Sequence, residues 1–366
     1  MTETHIDKPL GQLSIPEALL EWVTAHAYGF DSGDNETAEA LPRFAEAELV
    51  DLGAPFNNNG NLIAQAATLE LLARHSFSAA FALWGHRMAI EFLELAHGHF
   101  ANAALPKLRD GLTPGASAMA PGYKALAAEG DLNLRITRDA HGELRLSGQI
   151  GWASNLYRNA IAVAPAYGPD ADPDIGGILG GVIVAFPLDS QGGHIGPPLE
   201  LLAMRGTAST HVTLDNVKIN EQQILSDDFE PFLQRSRPTL SILQASLCLG
   251  LATASYQQSI QNASGFNAVF EDEIHEQGQK LLTAKQQLAD LATRVGTATP
   301  PAPQEILATR LSAGQLATQL TSLELKSSGG RGFVTTSDTN RRYREATFIP
   351  LQAPSEAQLR WELAQA

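Results

Sequence analysis

The sequence predicts an α+β protein in three parts: an N-terminal helical domain at 1–109, a central antiparallel β domain at 110–230 and a C-terminal four-helix bundle at 231–366. Two observations carry this. Apolar residues recur at helical spacing in both outer parts. In the middle part they alternate with polar ones, as in half-buried strands.

In chain order, Leu62 to Ala73 and Ser78 to Ala96 have helical periodicity. Phe56-Asn57-Asn58-Asn59-Gly60 is a loop by composition. Leu132–Ile136 and Leu144–Gly148 alternate as strands, joined by the turn residues Asp139-Ala140-His141-Gly142. Gly180 to Phe186 is a more continuously apolar strand, and Thr210 to Leu214 alternates again. Pro231 and Pro238 flank the exit from this region. Leu240–Asn262, Glu273–Val295 and Gln304–Leu325 then read as long helices, with Pro300 to Pro303 breaking the second from the third. A fourth runs from Ser355 to Ala364, with Ser355 as N-cap.

A chain of 366 residues holds two or three domains or one large multi-part unit. Its net charge of −15 argues against nucleic acid or an anionic membrane surface as partner, because both require basic patches. The single cysteine, Cys248, excludes an intramolecular disulfide and suits a reducing cytoplasm. Met1 to His5 lacks the pattern of a signal peptide, and no apolar run approaches the ~20 residues of a membrane helix. The expectation is a soluble cytoplasmic protein. His97 and His99, two residues apart, point to different faces of a helix and have no third ligand near in sequence, so no metal is assigned. Asp227-Asp228-Phe229-Glu230 and Glu271-Asp272-Glu273 read as acidic loops or helix starts.

Four segments carry a more specific signal. Ser328-Gly329-Gly330-Arg331-Gly332-Phe333 is a glycine cluster whose backbone can take positive φ and approach a ligand closely, and Arg341-Arg342-Tyr343-Arg344 follows it. Met204-Arg205-Gly206-Thr207 precedes Leu214-Asp215-Asn216-Val217. Leu112-Thr113-Pro114-Gly115-Ala116-Ser117 and Gly151-Trp152-Ala153-Ser154-Asn155 bracket the first strands. In this order and spacing, the chain resembles the acyl-CoA dehydrogenase superfamily of flavoproteins over nearly its whole length.

The resemblance implies a flavin cofactor, FAD with FMN as the alternative. Thr113, Gly115 and Ser117 would hold its pyrimidine and Trp152 would pack on the ring. Ser154 would hydrogen-bond its N5 edge, and Gly329, Gly330 and Gly332 would meet the distal end of a cofactor bound to a neighbouring subunit. Arg205 takes a structural role, tying down its loop through a buried carboxylate. A homodimer or homotetramer follows, with an electron-transfer flavoprotein or a flavin reductase as partner.

Three departures separate this chain from the family pattern. Ala353, in Gln352-Ala353-Pro354, stands where the resemblance expects the catalytic glutamate, and an alanine cannot abstract a proton. The alternative glutamate position of the family falls near Leu240 or Ser241, without a carboxylate, and the position of its CoA-holding arginine lands at about Ser241, without a cation. The stretch that the resemblance aligns with the family's FAD-diphosphate segment reads Gln261 to Asn267, without a cation. Three readings follow: a flavin oxidoreductase acting on an atypical acyl or non-CoA substrate, a two-component flavin monooxygenase, or a non-catalytic relative. In the monooxygenase reading His86, within Trp84-Gly85-His86-Arg87, and Ser154 are the catalytic candidates. A lone helix histidine is otherwise a half-buried structural residue.

Overall fold

The computed structural model describes residues 6, 8, 10–11, 14–57, 61–127, 130–172, 174 and 176–365. Met1–His5 and the Asn58–Gly60 part of the expected loop lie outside them. The chain opens with α1 (Glu17–Ser32), the short α2 (Leu41–Glu46), α3 (Ile63–His75), α4 (Phe77–Ala96) and α5 (His99–Arg109). Ser76 separates α3 from α4, because its extended backbone stops one helix while its hydroxyl accepts the Ala79 amide and caps the next. Every residue of α4 from Phe77 to Glu94 is buried. A helix buried on all sides belongs in a core.

Next come β1 (Gly115–Ser117), α6 (Ala120–Leu126), β2 (Leu134–Arg138), β3 (Leu144–Ala153), β4 (Ile161–Tyr167), β5 (Gly181–Pro187), β6 (Gly193–Ile195), β7 (Thr210–Ile219) and β8 (Ile224–Ser226). They form one sheet of order β6-β7-β3-β2-β4-β5-β8, with β1 beside β4. The β2–β3 hairpin turns where expected. Asp139 accepts the His141 and Glu143 amides, and Gly142 takes a φ of 79° that favours glycine. The sheet is mostly antiparallel, but β1 and β2 each pair with β4 in parallel. Pro114 and Val163 carbonyls stitch β1 into place, receiving the Ile161 and Ala118 amides.

The last part holds α7 (Phe229–Asn262), α8 (Glu271–Arg294) and α9 (Pro303–Ser328), with α10 (Asp338–Ala346) and α11 (Glu356–Gln365) packed on α9. The Ser355 cap is present, accepting the Gln358 amide at 3.2 Å. The acidic runs at 227–230 and 271–273 lie at the starts of α7 and α8. One expectation fails: Pro231 and Pro238 do not precede α7 but lie within it. Pro231 falls in the first turn, whose amides have no helical acceptor. Pro238 leaves the Gln234 carbonyl without its helical N–H partner. The longer helix also meets the length and mean hydropathy of a membrane span, yet its most apolar stretch is wholly buried within the fold.

The core has two compartments, and β4 divides them. Ile161, Val163 and Tyr167 face the helices, while Ala162, Ala164 and Ala166 face the interior of the β region. On the helical side α3 crosses α7 closely: a Cβ on Gly250 would lie 2.2 Å from the Glu70 carbonyl oxygen. Arg87 and Glu91 of α4 form a buried ion pair at 2.8 Å, and Thr239 of α7 donates to the same carboxylate at 2.8 Å. Thus α4 is fixed against α7 by polar as well as apolar contacts, and both helices reach the cavity described next.

Candidate active site

A cavity of about 340 Å³ opens where α4, the segment after β1, the end of β3, α7 and the segment after α10 converge. Its walls include Phe81, Trp84, Tyr123, Leu240 and Phe348, with Ser117, Trp152, Ser154, Gln352 and Ala353. Phe81 stacks on Trp84 at 5.3 Å and meets Phe348 edge-on at 5.4 Å, which gives one wall a continuous aromatic lining. A second cavity, about 520 Å³, adjoins it and shares Ala120, Trp152, Leu351 and Ala353. The second is more polar, with Lys124, Asp131, Asn133, Gln149 and Gln358 at its walls.

Among the described residues lining the first cavity none is acidic, basic, an imidazole or a thiol. Its one titratable group, the Tyr123 hydroxyl, lies 2.7 Å from Ser236 Oγ, and burial pushes its pKa well above the ordinary phenol value. Ala353 and Leu240 both line the cavity and present only apolar side chains to it. Ser241, the neighbour of Leu240, is fully buried and its hydroxyl has no partner.

Behind Gln352 lies a buried cation. Arg310 of α9 donates to Gln244 Oε1 at 3.2 Å, to the Ile349 carbonyl at 3.4 Å and to Gln352 Oε1 at 3.2 Å. Gln244 in turn donates to the Ala353 carbonyl at 2.8 Å. These acceptors are all neutral, so the guanidinium holds the Ile349–Ala353 segment without being neutralised by it. A cis peptide joins Ala353 to Pro354.

The expected site residues divide into three groups. Ser117, Trp152 and Ser154 come together at the first cavity, with Trp152 52% exposed at the junction of the two cavities. Thr113 and Gly115 do not line it. Gly115 is packed against α4, where a Cβ would lie 2.6 Å from that of Ala89, so the helix rather than a ligand requires glycine there. Gly329, Gly330 and Gly332 occupy the turn beyond α9, roughly 27 Å along that helix from Arg310 at about 1.5 Å per residue. Gly329 and Gly330 stand open, whereas a Cβ on Gly332 would meet Ser328 and Thr339 at under 3 Å.

His86 is enclosed rather than presented. It is 0% exposed, its Nδ1 accepts the Gly115 amide at 2.9 Å, and its Nε2 donates to the Leu108 carbonyl at 2.9 Å. Burial lowers its pKa to about 4, outweighing the Leu108 hydrogen bond and the charge of Asp110. The catalytic role expected of His86 needs a ring nitrogen facing the cavity, and both nitrogens are taken by the backbone of Leu108 and Gly115, on either side of the 110–114 loop. Its geometry fixes that loop.

Ser154 sits in a strained corner. Its hydroxyl is 2.6 Å from Ser209 Oγ, which is 2.8 Å from Thr207 Oγ1, which donates to the Met204 carbonyl at 2.7 Å. Asn155, Met204 and Ala208 around this chain have φ of 59°, 60° and 47°. Left-handed backbone at a non-glycine residue costs of order 1–3 kcal/mol and persists where neighbours over-determine it. Here the Asn155 amide donates to the Thr207 carbonyl at 2.9 Å, and its side chain donates to the carbonyls of Ala82 and Gly115.

The expected role of Arg205 moves to other residues. The buried carboxylate is Asp31, but the left-handed turn at Met204 presents that residue's amide to it, at 2.9 Å. Arg344 completes the pairing at 2.5 Å. Arg205 itself is exposed and donates to the Leu201 carbonyl. Sequence reading also missed Ser209, Phe81 and Phe348. Nothing local marks Ser209, while the two phenylalanines look like ordinary core residues until the chain brings them together.

No protein-family model matches the sequence, and no curated protein matches it. Solved structures do. A glutaryl-coenzyme A dehydrogenase in complex with glutaryl-CoA superposes with a TM-score of 0.82 at 18% identity, covering 97% of this chain and 96% of that one. The fold is that of the acyl-CoA dehydrogenases. Two further structures with this fold carry other names. The prolyl acyl carrier protein oxidase AnaB has a TM-score of 0.81 at 17% identity, covering 100% of this chain and 99% of its own. KijD3, solved with FMN and a dTDP-linked keto sugar, has a TM-score of 0.78 at 16% identity, covering 100% and 97%.

Proposed function

We propose that this acyl-CoA dehydrogenase-fold chain is a flavin-dependent oxidoreductase whose reaction uses no carboxylate base, acting on an atypical acyl or non-CoA substrate. The observation that carries the reading is the wall of the first cavity: Gln352, Ala353 and Leu240 stand there, and no described lining residue can take up a proton near neutral pH. Removal of an α-proton from a thioester needs such a group. Oxygen transfer from a reduced flavin does not, which favours the two-component monooxygenase as the second reading. One fold neighbour, which holds FMN and a nucleotide sugar, is an example of this fold with a ligand outside the thioesters, although others are named for acyl-CoA substrates.

The donor set suits a flavin ring. The walls are apolar and aromatic, the hydroxyls of Ser117 and Ser154 border them, and the buried Trp84 Nε1 has no hydrogen-bond partner. When bound, a flavin supplies hydride or electron transfer. The protein's share is to pack Trp152 on the ring, to hydrogen-bond its edge through Ser117 and Ser154, and to keep water out with Phe81, Trp84 and Phe348. His86 positions the loop that precedes Ser117. The glycine turn at 329–332 does not line the cavity, and this reading gives it to the cofactor of a neighbouring subunit in a homodimer or homotetramer, which light scattering tests. FAD is the first choice and FMN the alternative, with a flavin reductase or an electron-transfer flavoprotein as redox partner and the cytoplasm as location.

The test is an absorbance spectrum of the purified protein before and after heat release, with any released flavin identified. Bound FAD directs screening to thioesters first. FMN, or binding only after reduced flavin is added, favours the monooxygenase. No binding in either redox state of a folded protein would remove the enzyme reading and leave a non-catalytic relative.

A further inference from the structure

The hydroxyl chain at Ser154 has a fixed direction. Its three oxygen–oxygen contacts, of 2.6, 2.8 and 2.7 Å, link Ser154, Ser209, Thr207 and the Met204 carbonyl. Contacts this short each need a proton between the oxygens. Three hydroxyls supply three protons and the carbonyl supplies none. Only one arrangement satisfies all three contacts: Thr207 donates to Met204, Ser209 donates to Thr207, and Ser154 donates to Ser209. No proton remains on Ser154 for anything in the cavity that it lines.

We infer that Ser154 is a hydrogen-bond acceptor only, and that the site therefore holds reduced flavin in preference to oxidised flavin. The inference rests on the flavin reading above, in which the N5 edge of the ring meets this hydroxyl. Oxidised N5 is a bare acceptor, so it would oppose the Ser154 lone pairs and leave both groups unmet. Two-electron reduction places a hydrogen on N5 and turns it into the donor that Ser154 lacks. The selectivity is set at a distance, by Thr207, which is fully buried and does not line the cavity. Thr207 and Ser209 are positioning residues, and the strained turns at Met204 and Ala208 keep the relay pointing toward the Met204 carbonyl.

The experiment is anaerobic calorimetric titration of the full chain with FMN and with FAD, each oxidised and dithionite-reduced. The wild type is expected to bind the reduced form roughly tenfold or more tightly, the scale set by an unmet buried hydrogen bond. For a two-electron couple, tenfold raises the bound midpoint potential by about 30 mV. Thr207→Val is nearly isosteric, yet it frees Ser209 to donate to Ser154 and Ser154 to donate to the ring. It should lower the preference several-fold, chiefly by tightening oxidised flavin. Ser209→Ala should do the same by a second route, and it keeps the test open if the valine variant fails to fold. Equal or tighter wild-type binding of oxidised flavin would overturn the inference while leaving the flavin reading intact, as would an unchanged ratio in both folded variants. No binding of either redox form by the folded wild type overturns both.

Discussion

His86 and Gly115 are joined by a hydrogen bond in which the ring nitrogen is the acceptor, at 2.9 Å, and the opposite nitrogen donates to the Leu108 carbonyl. This fixes a neutral imidazole with its proton on Nε2. Protonating Nδ1 would break the Gly115 contact and bury a charge.

The first prediction concerns acid stability. His86 titrates near 6.5 when unfolded and near 4 when folded. Between those values the unfolded chain takes up a proton that the native chain refuses. Its contribution is therefore complete above pH 6.5 and is lost as pH falls toward 4, on the order of 3 kcal/mol in all. Urea denaturation at pH 7 and pH 4.5 should give a smaller drop for His86→Gln than for the wild type. An identical drop would mean that His86 titrates normally.

Glu345 should act with the opposite sign. It is fully buried and raised to about 7 by desolvation, although Arg341 lies 3.0 Å away and pulls it down. Between pH 4.5 and 7 the native chain keeps a proton that the unfolded chain releases, so stability falls as pH rises through that window. Glu345→Gln should remove this fall and leave the His86 trend standing alone, giving a steeper acid loss than in the wild type. A shallower loss would reverse the assignment.

Packing around β1 gives a third expectation. Gly115→Ala forces a methyl to within 2.6 Å of the Ala89 Cβ, an overpacking that costs about 1–3 kcal/mol. Ala89→Gly in the same chain should recover part of that loss despite its own helix cost of about 1 kcal/mol. A double variant no more stable than Gly115→Ala alone would place the strain elsewhere.

The base-free wall can be tested by filling it. Ala353→Glu places a carboxyl at an apolar cavity, where desolvation raises its pKa toward the range of a general base. The variant should gain α-proton exchange of an acyl thioester in deuterated water by at least about tenfold, given the roughly 10²–10⁴-fold that a positioned base contributes. Failure to gain exchange, in a variant that still binds flavin, would put the reacting carbon away from Ala353.

Periodicity revealed the helical spacing of apolar residues at 63–75 and 77–96, although the second helix is buried on every side, and the alternation of the half-buried β2–β3 hairpin. β4 was not legible, because its two faces are buried in different cores and Ile161 to Tyr167 therefore carry no alternation. Proline misled at 231 and 238, since a first turn tolerates it and a well-packed helix survives it. At the site, Ser117, Trp152 and Ser154 were found through their segments. His86 was placed by helix position, but its two backbone partners lie 22 and 29 residues away, beyond local pattern. Ser209 depends on a contact 55 residues long.

The two adjoining cavities share Trp152 and Ala353 yet differ in what they offer a guest. One offers mainly aromatic and aliphatic surface with a few hydroxyls, and the other adds the charges of Lys124 and Asp131 and the amides of Asn133, Gln149 and Gln358. A molecule lying across both is sorted along its own length, with its greasy end drawn inward past Trp152 and its solvated end held back. Orientation in such a vessel is set by partition, before any single hydrogen bond is made.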